Sequence, residues 1–467
     1  MSILDHAPRF DVADVERFSR DLYGLRAAAT LFPSERDQNF LLETESGGRF
    51  VLKIANASEE REMLEAQDRA METLAGTGLC SRLLPSAAGE EIETVPASGG
   101  GTHFVRLVTF LPGKPLGTVR RRTPGLLAEI GRSVGRADAA LAGFDAPAFH
   151  RDFHWDLARG PELVRRDLGL VRDPDLAACI ATLMDAFERH TASRLPGLRK
   201  SVIYNDANDY NILVGGGADL YDRDQHVLGL IDLGDMVYSC TVADPAVAIA
   251  YVLLDAPDPL TAAAQIVQGY HAAYPLQEDE IAALFGLACL RLCMSVCIAA
   301  EQQSRRPDDP YLGISQAPIR RTLPRLAGIH PRFAEAALRA ACGLDPLPVA
   351  TALRRWLGDP AADFAPVLGA DLRAAPLVVF DLGVGSPLLD GDPARNAEPH
   401  LTRRLGGVMQ EAGAKIGVGR YDEARYLYTS PAFATGDGPT DETRTVHLGI
   451  DLFAAAGTPV HAPLDGV

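Results

Sequence analysis

The stretch VIYNDANDYNILV, residues 202–214, sets apolar runs on either side of four carboxylate or amide side chains, Asp206, Asn208, Asp209 and Asn211. Both flanks read as buried, so the polar cluster between them needs a reason. One reason is purely local: Asp and Asn side chains satisfy nearby backbone groups in an Asx-turn loop. The other is chemical, and it depends on what the rest of the chain can bring to that loop.

At 467 residues the chain exceeds one typical core, so two or three domains are expected. With 47% apolar and 23% charged residues it reads as a globular protein. The formal net charge of −17 repels nucleic acid and anionic membrane, which argues against both as partners. The N-terminal MSILDHAPRFDVADVERFSRD carries carboxylates where a signal peptide needs a positive segment and an apolar run, so the expected location is cytoplasmic. The window IAALFGLACLRLCMSVCIAA, 281–300, is long enough to span a bilayer but holds Arg291 at its middle, and a buried bundle helix is the better reading. Cys289, Cys293 and Cys297 share one face of that helix. With no CxxC pair, they read as small core residues rather than a soft-metal site.

Residues 40–54, FLLETESGGRFVLKI, alternate about a Ser46-Gly47-Gly48 turn as a β-hairpin does. Phe50, Leu52 and Ile54 share one face, which leaves Lys53 on the other. Asn56 and Ser58 are candidate N-caps for a helix that stops at Gly76, and HFVRLVTFLPGKPL is a further strand. From about Thr123 the apolar spacing turns helical, interrupted by two β-like runs, NILVG and HVLGLIDLG. From about residue 376 the composition shifts to Gly, Asp and Pro with β-like runs, and the chain reaches Val467 within a strand-like segment. A β domain ending there would lack the strands to close its sheet.

Phosphoryl transfer needs a carboxylate to take the acceptor's proton, oxygen ligands for Mg²⁺, and a lysine on the donor phosphates. NDANDYN supplies Asp206 and, five residues on, Asn211; LGLIDLGD supplies Asp232 at the end of an apolar strand. Lys53 on its strand and Glu65 on the following helix complete the order of parts found in kinases. Singly each part is weak: Lys53 could face solvent, and Glu65 could pair with Arg61 and Arg69 one turn away. The ordered set is what carries the reading.

VIYNDANDYNILV followed by GLIDLGDMVYS resembles the aminoglycoside/choline-kinase-like phosphotransferases. RDQNFLL, FVLKIAN, LEAQ, RLVTFLPGKPL and NDYNIL fit the hydroxylysine-kinase subgroup, so the resemblance spans about residues 10–330. It implies Asp206 as catalytic base, Asn211 and Asp232 as Mg²⁺ ligands, Lys53 on the phosphates of GTP or ATP with Glu65 as its partner, and 107–112 as the hinge lining the purine pocket. The implied acceptor is a hydroxyl on a small cationic or amino-acid substrate, first 5-hydroxylysine, with aminoglycoside, choline or homoserine as alternatives. Asp209, Asp235 and Asp244 are candidates for an acceptor ammonium, with structural roles such as helix capping by Asp244 as the alternative. Two departures stand out: Tyr204-Asn205 replaces the usual His-Gly before the loop Asp, and SERDQNF stands where protein kinases have glycines.

HLGIDLFAAAGTPVHAPLDG resembles the first half of a lysostaphin-type zinc peptidase domain, in which His447 and Asp451 would be two of the Zn²⁺ ligands. A strand His and Asp four apart share a face, but the family's later H-x-H segment does not occur here, so no peptidase activity is expected of this chain. The order of parts resembles the N-terminal portion of kinase–peptidase–class III aminotransferase fusions. The expectation is thus an α+β, two-lobed protein-kinase-like fold with a β-rich N-lobe over 1–112 and a helical C-lobe over 113–330. A helical or irregular linker follows over 331–395, then an incomplete all-β domain over 396–467. The rival readings are a non-catalytic binding module and a zinc hydrolase completed in a longer parent.

Overall fold

The computed structural model describes residues 7–34, 36–96, 101–305, 316–359, 364–429, 433–434 and 444–464. It divides into two units, Met1–Pro348 and Val349–Val467.

The first unit opens with helix α1 (Val12–Tyr23), whose Asp11 and Asp14 form a reciprocal capping box and whose end is turned by Gly24 at φ 65°. Strands β1 (Ala27–Phe32), β2 (Gln38–Thr44) and β3 (Arg49–Ile54) follow, then helix α2 (Arg61–Leu74), β4 (Leu83–Leu84), β5 (Glu93–Pro96) and β6 (Thr102–Thr109). They form one antiparallel sheet in the order β1-β2-β3-β6-β4, with β5 also on β6. The hairpin expected at 40–54 is present, with Gln38 opposite Ile54. Its alternation buries Leu52 and Ile54 with Phe40, Leu42, Val105 and Leu107 under α1. Lys53, one residue out of phase, lies on the opposite face. The helix after it begins later than its sequence signals: Glu60 stands at the N-cap without a side-chain cap bond. Asn56 instead accepts from Ser58, closing a small turn ahead of the helix.

The large lobe continues with β7 (Lys114–Pro115), α3 (Pro124–Leu141), α4 (Gly160–Asp167), α5 (Pro174–His190), β8 (Lys200–Ile203), β9 (Ile212–Gly215), β10 (His226–Leu230) and β11 (Val237–Cys240). Then come α6 (Ala243–Val252), α7 (Pro259–Ala273), α8 (Glu278–Arg305), α9 (Gln316–Ala327) and α10 (Pro331–Ala341). Helices α3 and α7 cross at backbone contact: a Cβ on Gly131 would lie 1.9 Å from the Ile266 carbonyl oxygen, and one on Gly269 would lie 1.8 Å from that of Ala128. Only glycine permits that approach. Helix α8 is long and apolar enough to cross a membrane, yet it is the core helix of this lobe. Cys289, Cys293 and Cys297 are buried along it as free thiols.

Two small ribbons frame the loop of interest. β9 pairs β10 on one side and β7 on the other, and β8 pairs β11 with Ile203 opposite Val237. The segment 204–211 therefore leaves one ribbon and enters the other.

The second unit contains most of α11 (Pro348–Leu357), then β12 (Leu377–Phe380), α12 (His400–Glu411), β13 (Ile416–Gly419), β14 (Glu423–Ala424), β15 (Val446–His447) and β16 (Asp451–Phe453). Sheet is present here as expected, but the architecture is mixed rather than all-β. β12 runs parallel to β13 across the α12 connection, with β16 antiparallel on the far side. A parallel pair needs such a crossover, and α12 supplies it by burying Leu405 against Phe380 and Leu382. The segment 331–395, expected as a linker, thus contributes β12 to this sheet. The strand-like run after Phe453 forms no strand as far as Leu464.

Candidate active site

The loop 204–211 is held open by its own backbone. Asn205 sits at φ 65°, the left-handed region that Asn tolerates better than most residues, at the position where the resembling family usually has glycine. That turn aims the N–H groups of both Tyr204 and Asn205 at one carboxylate, Asp244, the former at 2.8 Å. The Asn205 amide donates to the Asp235 carbonyl at 3.1 Å, and the Tyr204 hydroxyl to that of Ile231. So Tyr204 and Asn205, standing where the resembling family has His-Gly, brace the loop through four hydrogen bonds.

Asp244 stands within the first turn of α6 yet does not cap it; its oxygens are spent on the loop. Behind it Asp138 accepts from the Tyr270 hydroxyl at 2.5 Å. Burial and the Asp244 charge push the Asp138 carboxyl well above the carboxylate range. Asp244 is therefore a brace, not an ammonium receptor. The other two acidic candidates carry arginines: Asp209 lies 3.6 Å from Arg122 and Asp235 2.9 Å from Arg36.

Asp206 projects from this braced loop, 16% exposed. Its Oδ2 accepts from the Asn211 side-chain nitrogen at 2.6 Å and its Oδ1 from Arg291 on α8 at 3.0 Å. Burial, then the Asp235 charge, pushes its carboxyl up to about 7, against the opposing pull of Arg291. Asn211 and Asp232 meet because β9 and β10 are hydrogen-bonded neighbours: Ile212 faces Leu230, and the Ile231 N–H donates to the Asn211 carbonyl at 3.0 Å. Asp232 occupies φ 64°, where its Oδ1 accepts from the Gly234 N–H at 3.0 Å. Crowding alone would raise its carboxyl, but Lys53, that N–H and Arg36 outweigh it and hold Asp232 below the usual carboxylate range. The Asn211 side-chain nitrogen is committed to Asp206, which leaves its oxygen as the free donor, on the strand neighbour of the segment that carries Asp232. Two hard oxygen donors of this kind suit Mg²⁺.

Lys53, Asp206, Asn211 and Asp232 thus occupy one neighbourhood, as the order of motifs implies. Glu65 does not join them. It is exposed on α2 and lies 3.7 Å from Arg61, the plain surface pairing. One turn further, Asp68 faces inward, bonded to Arg106 at 2.5 Å, with Gln67 on the same guanidinium at 3.0 Å. Arg106 is paired with Lys53 across β3 and β6, so the acidic brace on the Lys53 side of α2 is Asp68. The physical reason is helical phase: the buried face runs through Met63, Leu64, Gln67 and Met71, and Glu65 falls outside it.

Sequence reasoning missed three arginines. Arg36 lies in the β1–β2 connection where glycines would stand in protein kinases, and it bonds Asp235. Arg151 donates to the carbonyls of Gly234 and Met236 at 2.7 and 3.0 Å. In the sequence Arg291 registers only as a charge that argues against membrane insertion. A lone charge in an apolar helix was itself the signal, because a buried cation needs a buried anion.

In the second unit His447 and Asp451 come together with 3.3 Å between Nε2 and Oδ1. They lie on two short strands, β15 and β16, rather than on one face of a single strand. His447 Nδ1 bonds the Tyr428 hydroxyl at 2.5 Å, and Asp451 Oδ2 is taken by Arg425 at 2.5 Å. Among the described residues no group of three or more His, Cys, Asp or Glu could hold a metal ion.

Residues 28–281 match the phosphotransferase enzyme family, and the chain belongs to it: it is a phosphotransferase whose acceptor is an alcohol group. It is similar to hydroxylysine kinase of Danio rerio, 28% identical over 339 residues, spanning 70% of this chain and 94% of the relative. It is also similar to homoserine kinase of Phenylobacterium zucineum, 32% identical over 261 residues, spanning 54% and 72%. The kinase-like fold is shared with an amicoumacin kinase solved with AMP-PNP and Ca²⁺, at a TM-score of 0.51 and 16% identity over 67% of this chain and 93% of that one. A microcompartment-associated aminopropanol kinase gives 0.50 and 17% over 72% and 100%.

Proposed function

We propose that this phosphotransferase moves the γ-phosphoryl group of a purine nucleoside triphosphate, GTP or ATP, onto a hydroxyl of a small amine-bearing molecule, with 5-hydroxylysine as the first acceptor to try. The observation that carries this reading is Asp206 held at both oxygens in a braced loop beside Asn211 and Asp232. The similarity to hydroxylysine kinases over 94% of the zebrafish relative's length favours the acceptor. The homoserine kinase likeness makes an amino-acid hydroxyl the common element, with homoserine as the second acceptor.

In the proposed reaction Asp206 takes the proton of the acceptor hydroxyl as that oxygen bonds to the γ-phosphorus. The bond from phosphorus to the bridging oxygen breaks, and a nucleoside diphosphate leaves. Each Asp206 oxygen retains a lone pair beyond the bond it already accepts, so the tethered carboxylate remains competent as a base. Lys53 supplies a positive charge to the donor phosphates, next to ionised Asp232. Asn211 and Asp232 would hold Mg²⁺, which supplies charge neutralisation on the transferring group.

The test is transfer from radiolabelled GTP and ATP across hydroxylysine, homoserine, ethanolamine, choline and aminoglycosides. Turnover on an amino-acid hydroxyl, abolished by chelation of divalent cations and restored by Mg²⁺, is expected. Nucleotide binding with no turnover on any of the panel would contradict the acceptor class. Asp206→Asn should remove turnover while nucleotide still binds; a variant retaining most of its rate would show that Asp206 is not the base.

A further inference from the structure

We infer that Arg291 is a positioning residue for the base: from the middle of α8 it fixes the orientation of the Asp206 carboxylate by a direct hydrogen bond. The inference rests on the reading of Asp206 given above.

The guanidinium is held at both terminal nitrogens. Nη2 donates to Asp206 Oδ1 at 3.0 Å, and Nη1 donates to the Trp155 carbonyl at 3.1 Å. Its carbon lies 4.2 Å from the centroid of the Trp155 ring and 5.8 Å from that of Tyr251. The side chain is 2% exposed. A planar fork held at two nitrogens and covered on its face has one orientation. The carboxylate it meets is gripped at the other oxygen by Asn211, so rotation of the Asp206 side chain is blocked from both sides.

An arginine so placed is not explained by packing. Its neighbours along the helix, Leu290, Leu292, Cys289 and Cys293, are all buried and apolar, and an unpaired cation among them would be costly. Nor does it serve as a receptor for an acceptor carboxylate. Both terminal nitrogens already donate and the side chain is 2% exposed, so an incoming anion would have to displace an existing partner to reach it.

The experiment separates kcat from KM. Arg291→Met should lower kcat ~10- to 100-fold while the KM for nucleotide and for acceptor stays at the wild-type value, because binding is intact and only the aim of the carboxylate is lost. Arg291→Lys should recover little of that loss, since a point charge replaces the charge and not the planar fork. An Arg291→Met enzyme that binds nucleotide and keeps the wild-type kcat overturns the inference. If Arg291→Met does not fold, Trp155→Leu decides: by uncovering the face of the guanidinium it should lower kcat with KM unchanged, and an unchanged kcat overturns the inference. Asp206→Asn, assayed alongside, separates the two readings. An inactive Asp206→Asn with wild-type kcat in the arginine variant removes only the positioning role, whereas an active Asp206→Asn removes both.

Discussion

Glu65 and Asp68 stand three residues apart on α2, and only one of them faces the cleft. Asp68 is buried with Arg106 on a strand neighbour of Lys53, whereas Glu65 shares solvent with Arg61. Removing one half of a buried ion pair leaves an uncompensated charge, so Asp68→Ala should cost ~3–5 kcal/mol in urea unfolding. Glu65→Ala should stay within ~0.5 kcal/mol of wild type and leave phosphate transfer unchanged. Loss of activity in Glu65→Ala would restore it as the partner of Lys53. At this scale the sequence was legible where chemistry fixes residue type: Asp206, Asn211, Asp232 and Lys53 could be picked out by order and spacing. It was less legible where helical phase decides between two carboxylates. The apolar positions of α2 contain that phase, and reading them against Glu65 would have turned it outward.

The loop 204–211 illustrates the same division one level up. Its two flanking strands were readable as apolar runs, and its turn was readable as Asx-rich. What braces it was not, because Asp244 and Asp138 come from α6 and α3, 39 or more residues from the loop in sequence. Asn205 at φ 65° is the pivot. Asn205→Gly should keep the loop conformation and most of the rate. Asn205→Val, β-branched in the left-handed region, should cost ~1–2 kcal/mol and depress kcat more than KM, as the two N–H groups lose their aim at Asp244. Equal rates for the Gly and Val variants would show that the positive φ does not matter to catalysis. Helix α8 carries a comparable lesson: its apolar length was evident, its burial followed from Arg291, and the anion that Arg291 serves lies 85 residues away.

At the scale of the molecule, the division at Pro348 separates the kinase-like fold from a unit with its own small core around Phe380, Leu382 and Leu405. Every residue assigned here to phosphate transfer lies in the first unit. A chain ending at residue 348 should therefore fold and retain nucleotide binding and turnover, measured by calorimetry and the transfer assay. Loss of both would show that the second unit contributes to the site. The mixed architecture of that second unit was only half visible in the sequence, because α12 is short and amphipathic within a Gly- and Pro-rich context. The spacing of His447 and Asp451 suggests one face of one strand; they instead lie on two strands, and the carboxylate's engagement by Arg425 depends on strand pairing that spacing alone does not give.

The proposed roles of Asp206, Asn211, Asp232 and Lys53 meet in one reaction, transfer of a nucleotide's terminal phosphoryl to the hydroxyl of a small amine. A transfer assay with purified protein, Mg²⁺, GTP or ATP, and 5-hydroxylysine, with the product's phosphate located by ³¹P NMR, tests it directly. A phosphomonoester on the acceptor hydroxyl and equimolar nucleoside diphosphate are expected, both absent with Asp206→Asn. Nucleotide bound by wild type with no phosphorylated product from hydroxylysine, homoserine or the other amine acceptors would contradict it.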